Sequence, residues 1–575
     1  MAETLISPGV LARENDSSFV SRRPVTAGAA IIGPTVKGPV EIPTIVTTFS
    51  EYANTFGTTF DSGSATNSKT YTYFTSIAAY NYFVNGGTSL LVVRVVTGSY
   101  TSANTTTASV GNDAIKDYNN SESFALETLS KGVIMNNSGS QTSGALISGS
   151  KDNIRYQIVN SNTSSGTFDL LIRRGDDNVL TPTVLETFTM LSLDPNSPNF
   201  ISRVIGDQVQ NYNGTTIQID ISGSYANRSN FIRVKNVNVT TLNYFDNNGV
   251  AKNAYTSSIP INKSGSFGGA TGTVRGGAKF YSDIDNTDTQ GLTGGCYDNM
   301  INLLSNTDDF KFNVLLTPGL YNTDYTSQTT SIITNTQNRG DNIYVLDPVK
   351  YGKVISDAVA AAGTRNTSYA AMYWPWCQVV DPSTGDLVWV PASTVIGGVY
   401  AYNDSVAEPW FAPAGINRGG LSQVVRVEQK LSAANRDTLY NGKVNPIATF
   451  PGTGIEVYGQ NTLQTRASAL DRVNVRRLLI ALKSYISQVA LNLVFEQNTI
   501  ATRNQFLSQT NPYLTSVQQR QGLYAFKVIM DESNNTPDVI DRNELMGKIF
   551  VQPTKTAEFI YLDFNITPTG ATFGA

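Results

Sequence analysis

Histidine is absent from all 575 residues. Its absence removes the commonest general base, the usual nitrogen ligand of zinc and the side chain that titrates near neutral pH. A Ser-His-Asp triad is excluded with it. Cysteine is almost absent: Cys296 and Cys377 allow one bridge at most, and their spacing matches neither a metal knuckle nor a C-x-x-C redox pair. Two buried thiols in a reducing compartment are expected. Charge is scarce as well, with Asp, Glu, Lys and Arg at 15% of the chain against roughly 25% in an average soluble protein. Lys plus Arg is 41 and Asp plus Glu 45, so the cationic surplus that nucleic acid demands is missing and no direct nucleic-acid partner is expected. No apolar run approaches the 18 or so residues of a membrane span, and "MAETLISPG" carries an acid where a signal peptide needs cations. Synthesis in cytoplasm without membrane insertion is the expectation. Phosphate loops are missing too; in "GPTVKGP" (33–39) each Gly precedes a Pro that deletes a backbone donor, so a rigid turn pair is expected there.

What replaces charge is Ser, Thr, Asn, Gly and 28 Tyr, a mixture suited to strands, turns and large buried contacts. The length allows about two to four domains. Near the start, "AGAAIIGP" (27–34) and "SLLVVRVV" (89–96) predict buried strands, and "FSEYANTFG" (49–57) a short helix started near Ser50 and stopped by Gly57. Residues 99–290 change texture to short alternating pieces, such as "TIQIDISG" (216–223) and "FIRVKNVNV" (231–239), between Asn, Gly, Ser and Asp clusters. They predict a β-rich insert projecting outward, with "FGGATGTVRGG" (267–277) as its flexible return. An α/β pattern resumes in "FNVLLTPG" (312–319), "SQTTSIITNTQ" (327–337), "NIYVLDP" (342–348), "SDAVAAAG" (356–363) and "YAAMYWPW" (369–376), which implies parallel pairing beneath covering helices. A hairpin follows in "CQVVDPSTGDLVWVPAS", turned by Asp381, Pro382 and Gly385. Residues 467–496 carry the clearest amphipathic helix, with Leu470, Val473, Leu478, Leu482, Tyr485, Val489 and Leu493 at three- and four-residue spacing. A second helix is predicted over "TIATRNQFLSQ", then strands at "YAFKVIMD" (524–531) and "EFIYLDFNIT" (558–567). Ile6, Pro8, Val10 and Ala12 alternate as an extended segment would, so both ends of the chain offer strands in search of a sheet.

Candidates for chemistry are few. Asp283, Asp285 and Asp288 open like a calcium loop but lack the glycine at position six and the glutamate at twelve, so a polar turn is expected. Tyr373, Trp374 and Trp376, with Trp389 and Trp410, are expected in core or subunit contact. Arg472, Arg476, Arg477 and Lys483 stud the long helix; a solvated face is the plainer expectation, and docking against an inner partner the sharper one.

Two long segments, "SPGVLARENDSS" with "AAIIGPTVKGPVEIPTIVTTFSEYANTFG", and "LIALKSYISQVALNLVFEQN" with "DRNELMGKIFVQPTKTAEFIYLDFNIT", resemble the contractile tail sheath proteins of bacteriophages. The resemblance covers roughly the first hundred residues and everything after about 291; the insert resembles, in position and composition only, the variable outward-facing domains of phage sheaths. It implies a mixed α/β multidomain fold: an N-terminal linking arm (1–20), a sheath core (21–98 and 291–455), the β-rich inserted domain (99–290), a C-terminal sheath domain (456–557) and a C-terminal linking arm (558–575). It further implies that arms at residues 5–14 and 559–567 complete a sheet in neighbouring subunits, with Leu5, Ile6, Val10 and Leu11 on one arm and Phe559, Ile560, Tyr561, Leu562, Phe564 and Ile566 on the other. Arg472, Arg476, Arg477 and Lys483 become possible tube-facing residues. The implied function is that of a structural subunit, not an enzyme and without cofactor or metal, which polymerises helically around a tail tube and contracts to drive it through the host envelope. Its implied partners are further copies of itself, the tube protein, the baseplate and the tail terminator, within a virion assembled in host cytoplasm. Two other classes are weighed beside it. One is a phage receptor-binding or decoration protein built on the insert, which would have no use for strands at both ends. The other is an α/β enzyme using Asp347 and Asp381, which would need a discrete pocket.

Overall fold

The computed structural model describes residues 25–62, 69–106, 114–137, 141–142, 144–273 and 281–558. The expected arms at 5–14 and 559–567, with every arm residue named above, lie outside the described residues, as do residues 274–280 of the expected return segment.

Strands β1 (Val25–Gly33), β2 (Thr44–Val46), β3 (Leu90–Arg94), β4 (Phe310–Tyr321), β5 (Ile343–Asp347), β6 (Ala370–Trp374), β7 (Val444–Phe450) and β8 (Gly454–Val457) form one sheet in the order β2-β3-β1-β4-β5-β6-β7-β8. Every pair from β3 to β7 is parallel, and only the outermost pairs, β2 with β3 and β7 with β8, are antiparallel. Chain segments more than two hundred residues apart are thus neighbours, with Ala30 opposite Leu91 on one side and Leu315 on the other. Both faces are buried, which is why these strands read as continuous apolar runs. Ala29, Ile31, Leu90, Val92, Ile343 and Val345 feed one core, while Ala30, Ile32, Leu91, Val93, Tyr344 and Leu346 feed the other.

Helices α1 (Phe49–Phe56), α2 (Phe74–Val84) and α3 (Ser393–Val406) contribute to the first core. The cap of α1 is Thr48 and not Ser50: Thr48 accepts from the Glu51 amide at 3.1 Å, and Glu51 reaches back to the Thr47 amide at 2.8 Å. Gly57 closes the helix at a φ of 70°, as its position predicts. Helices α2 and α3 were not signalled by periodicity, because residues all round each are buried and no polar stripe exists to set a phase. They cross closely at Gly398, where an added Cβ would sit 2.7 Å from the Asn81 carbonyl oxygen. On the other side of the sheet lie the helices Thr326–Arg339, Ile355–Gly363 and Ala433–Asn441.

The stretch between β3 and β4 builds its own core. Antiparallel strands Val184–Ser192, Thr167–Arg174, Ile154–Asn162 and Lys263–Ser266 make one sheet, and Ile232–Val237 with Glu122–Lys131 and Ser102–Asn104 another. Phe124, Leu126, Phe168, Leu170, Ile172 and Ile232 pack together between them, with Phe124 stacked on Phe168 at 5.5 Å. Phe267 and Ala270 are buried in this core, so the start of the glycine-rich return is packed structure rather than a flexible link.

The insert is fixed to the large sheet by two buried cations. Arg94, at the end of β3, donates to the carbonyls of Gly38 at 2.7 Å and Lys131 at 2.9 Å, and its guanidinium lies 5.1 Å from the Tyr100 ring centre. Burial lowers it to about 10. Lys37 donates to the Asp152 carbonyl at 3.2 Å and lies 3.7 Å from that residue's carboxylate. "GPTVKGP" is therefore more than a turn pair: it carries Lys37 and Val36 into the joint with the insert.

Candidate assembly site

Residues 473–558 pack as two long helices and a two-stranded ribbon whose strands are joined through the short helix Pro537–Asp541. Helix α4 (Val473–Leu491) begins six residues later than the periodicity predicts, because Ala469–Asp471 form a 3-10 turn and Arg472 is extended. Helix α5 (Ile500–Gln519) runs through Pro512, beyond the predicted segment. Strands β9 (Leu523–Ile529) and β10 (Lys548–Pro553) then pair antiparallel, with Phe526 opposite Val551 and Val528 opposite Ile549. One face of this ribbon packs Phe526, Val528, Ile549 and Val551 onto Leu478, Leu482, Leu514 and Val517 of the two helices. The other is open, with Tyr524 63% and Phe550 56% exposed.

Among the described residues no further strand pairs with either edge of this ribbon. Two strands alone are marginal in water, and each free edge presents a row of unpaired backbone donors and acceptors. A strand laid along either edge would satisfy that row by main-chain bonds, with alternate side chains fixing register. Strand β10 was not anticipated, since six residues of alternating pattern carry a weak signal, and the strand predicted at 558–567 falls, after Glu558, outside the described residues.

Three of the four predicted basic residues serve the joint between α4 and the large-sheet domain. Each lies over a tyrosine ring of that domain: Arg472 at 5.7 Å from the centre of Tyr440, Arg476 at 4.0 Å from Tyr369 and Arg477 at 4.8 Å from Tyr400. Arg477 is buried and pairs with Asp404 at 2.5 Å. Burial alone would lower it, but Asp404 and the neighbouring tyrosines outweigh that and hold it above its ordinary value. Arg476 has Ser368 as its hydrogen-bond partner, and burial lowers it. Lys483 alone of the four is exposed, 3.3 Å from the Tyr369 hydroxyl.

The other candidates are occupied structurally. Asp347, at the end of β5, is buried and accepts from the Ser393 amide at 2.9 Å and hydroxyl at 2.5 Å; burial pushes it up to about 7. Asp381 accepts from the Ser383 amide at 2.8 Å in the hairpin turn it was predicted to form. Trp376 packs against Phe74, Tyr321 and Tyr351, and Trp410 against the helix pair, so the aromatic cluster is core. Asp285 caps its own turn through Thr287 and Asp288, and no metal-ligand cluster occurs among the described residues. Both cysteines are free; Cys377 is buried, but Cys296 is only half-buried beside Thr97 and Thr293, contrary to expectation. No helix among the described residues is long and apolar enough to cross a membrane.

One residue that no local signal marked completes the site. Glu558 accepts from Arg472 Nε at 2.8 Å, from Gln460 Nε2 at 2.9 Å and from the Tyr440 hydroxyl. Burial would raise this carboxyl, yet those three bonds and the guanidinium charge hold it below its usual range.

Comparison with known proteins locates the same regions. Residues 296–463 match the phage tail sheath protein central domain, and residues 465–567 the phage tail sheath C-terminal domain. The tail sheath protein of Vibrio phage KVP40 is 43% identical over 208 residues, covering 36% of this chain and 31% of that one. That of Enterobacteria phage T4 is 39% identical over 185 residues, covering 32% and 28%. The matched stretch thus spans about a third of the length of these curated relatives. The crystal structure of a sheath tail protein from Listeria innocua shares the fold at a TM-score of 0.52 and 9% identity, over 92% of this chain and 95% of that one.

Proposed function

Because its residues 296–463 and 465–567 belong to the phage tail sheath family, we propose that the chain is a structural subunit of a contractile phage tail sheath, polymerised helically around a tail tube. The open ribbon of β9 and β10 carries the proposal. Arms from other copies, bearing Leu5, Ile6, Val10 and Leu11 or Phe559, Ile560, Tyr561, Leu562, Phe564 and Ile566, add strands to its edges. A head-to-tail contact of this kind does not close on itself, so identical copies build a helical tube. Bound only through strands at their ends, the copies rotate and slide while remaining tied. Contraction is the passage from a kinetically trapped extended form to one with better contacts between cores.

Baseplate, tail terminator and tube protein are the further partners, in a virion assembled in host cytoplasm. Of the predicted basic residues, the exposed Lys483 is the one free to face the tube. Asp347 and Asp381 are engaged in the core and in a turn, which favours the structural role over a carboxylate enzyme. The test is electron microscopy of the purified full chain beside a variant lacking residues 1–14. Long tubes from the full chain and none from the variant are expected; long tubes from both would overturn the arm assignment.

A further inference from the structure

Residues 554–558 follow β10 without forming a strand or helix, but they do not hang free. The Thr554 amide donates to the Gly522 carbonyl at 3.2 Å and its hydroxyl to the Gln521 carbonyl at 2.7 Å. Gln460 Nε2 reaches Thr556 Oγ1 at 2.6 Å as well as Glu558. The groups that hold Glu558 are themselves tied together: Arg472 donates to the Tyr440 hydroxyl at 2.9 Å and to Asn461 Oδ1 at 2.9 Å, and Asn461 Nδ2 donates to the Tyr440 carbonyl at 3.1 Å. A carboxylate so withdrawn from water is costly unless its lone pairs are filled. Here three donors from three separated parts of the chain fill them.

Tyr440 and Gln460 lie in the large-sheet domain and Arg472 at the start of α4. The clamp therefore moves the root of whatever follows residue 558 off the ribbon and onto the joint between the two domains. Without it the pivot would lie near Thr554, and about four residues, roughly 13 Å of extended chain, would swing more freely.

We propose that Glu558 is a positioning residue: its clamp on Arg472, Tyr440 and Gln460 fixes where and in what direction the C-terminal arm leaves the subunit, so that the arm meets a neighbouring copy already aimed. This rests on the strand-exchange assignment above. Pre-aiming removes ordering entropy from the association step, and the entropy of fixing even one backbone residue corresponds to roughly tenfold in an equilibrium constant.

The experiment uses the full chain in a Cys296→Ser background, spin-labelled at Lys353→Cys in the large-sheet domain and Ala557→Cys beside the clamp, below the concentration at which tubes form. Pulsed electron spin resonance gives a narrow distance distribution for the parent. The distribution at least doubles in width in Glu558→Ala and widens less in Glu558→Gln and Tyr440→Phe. The concentration needed for tubes rises about tenfold in Glu558→Ala while the melting temperature stays close to the parent's, a separation that a merely stabilising contact would not give. An unchanged distribution in all three variants overturns the clamp. Deleting residues 559–575 separates the two ideas: loss of tubes on deletion with no effect of Glu558→Ala sinks the clamp alone, and tubes that survive deletion sink the strand exchange beneath it.

Discussion

Strand β8 ends the large sheet with its outer backbone engaged: the Leu421 amide donates to the Ile455 carbonyl at 2.9 Å, and the Val457 amide to the Gly419 carbonyl at 2.8 Å. Strands β9 and β10 have no further strand beside them among the described residues, and side chains reach only the Tyr524 and Ile529 carbonyls of β9, from Gln518 and Asn534 at 2.8 Å each. The large sheet buries both faces, while the ribbon buries one and leaves Tyr524 and Phe550 in water. At its β8 edge the first region is closed within the monomer. The second is built to the point where another strand would finish it, and the contrast separates what stabilises a subunit from what links subunits.

The contrast breaks most sharply where the sheet's core is opened. Trp376→Ala removes a ring packed against three aromatics and strands the Val349 carbonyl that its Nε1 reaches at 3.2 Å. A loss of about 3–5 kcal/mol is expected in urea unfolding of the dispersed chain. A comparable sum hangs on Asp347. Its pKa of about 7 in the fold lies above the ordinary aspartate value, so its contribution is present in full below about pH 4 and lost as pH rises through 7. At 1.36 kcal/mol per unit the span is about 4 kcal/mol. Asp347→Asn is expected to remove this contribution to the pH dependence of stability between pH 7 and 4, as read by thermal melts of parent and variant across that window.

Gly398→Ala drives a methyl into the Asn81 carbonyl and is expected to cost about 1–3 kcal/mol in the same unfolding assay. Phe550→Ala sharpens the comparison from the other side. It lies on the ribbon's open face, so the dispersed chain stays within about 0.5 kcal/mol of the parent. Tube formation by light scattering falls, and hydrogen exchange of β9 and β10 slows on assembly in the parent far more than exchange of β4 or β5.

What the sequence disclosed follows the same division. Strands β1 and β3 to β6 were legible because burial on both faces writes an uninterrupted apolar run. Helices α2 and α3 were not, since Gly397, Gly398 and apolar residues all round leave no stripe. The hairpin after β6 was readable from Asp381 and Gly385. The arginines of α4 were visible as charges, but their partners Tyr369, Tyr400 and Tyr440 are distant in the chain, and no local pattern announces such a pairing. Glu558 is the extreme case: it read as the first residue of a strand, and its role exists only through three distant donors.

Arg94 and Lys37 grip the insert by the main-chain carbonyls of residues 131 and 152. Those carbonyls could come from any residue, but the Asp152 carboxylate, 3.7 Å from Lys37, and the Tyr100 ring, 5.1 Å from the Arg94 guanidinium, are side chains that the mount also uses. An insert rewritten everywhere except at Tyr100 and Asp152 would meet the same fitting beneath it, in the manner of a bayonet socket that takes many lamps.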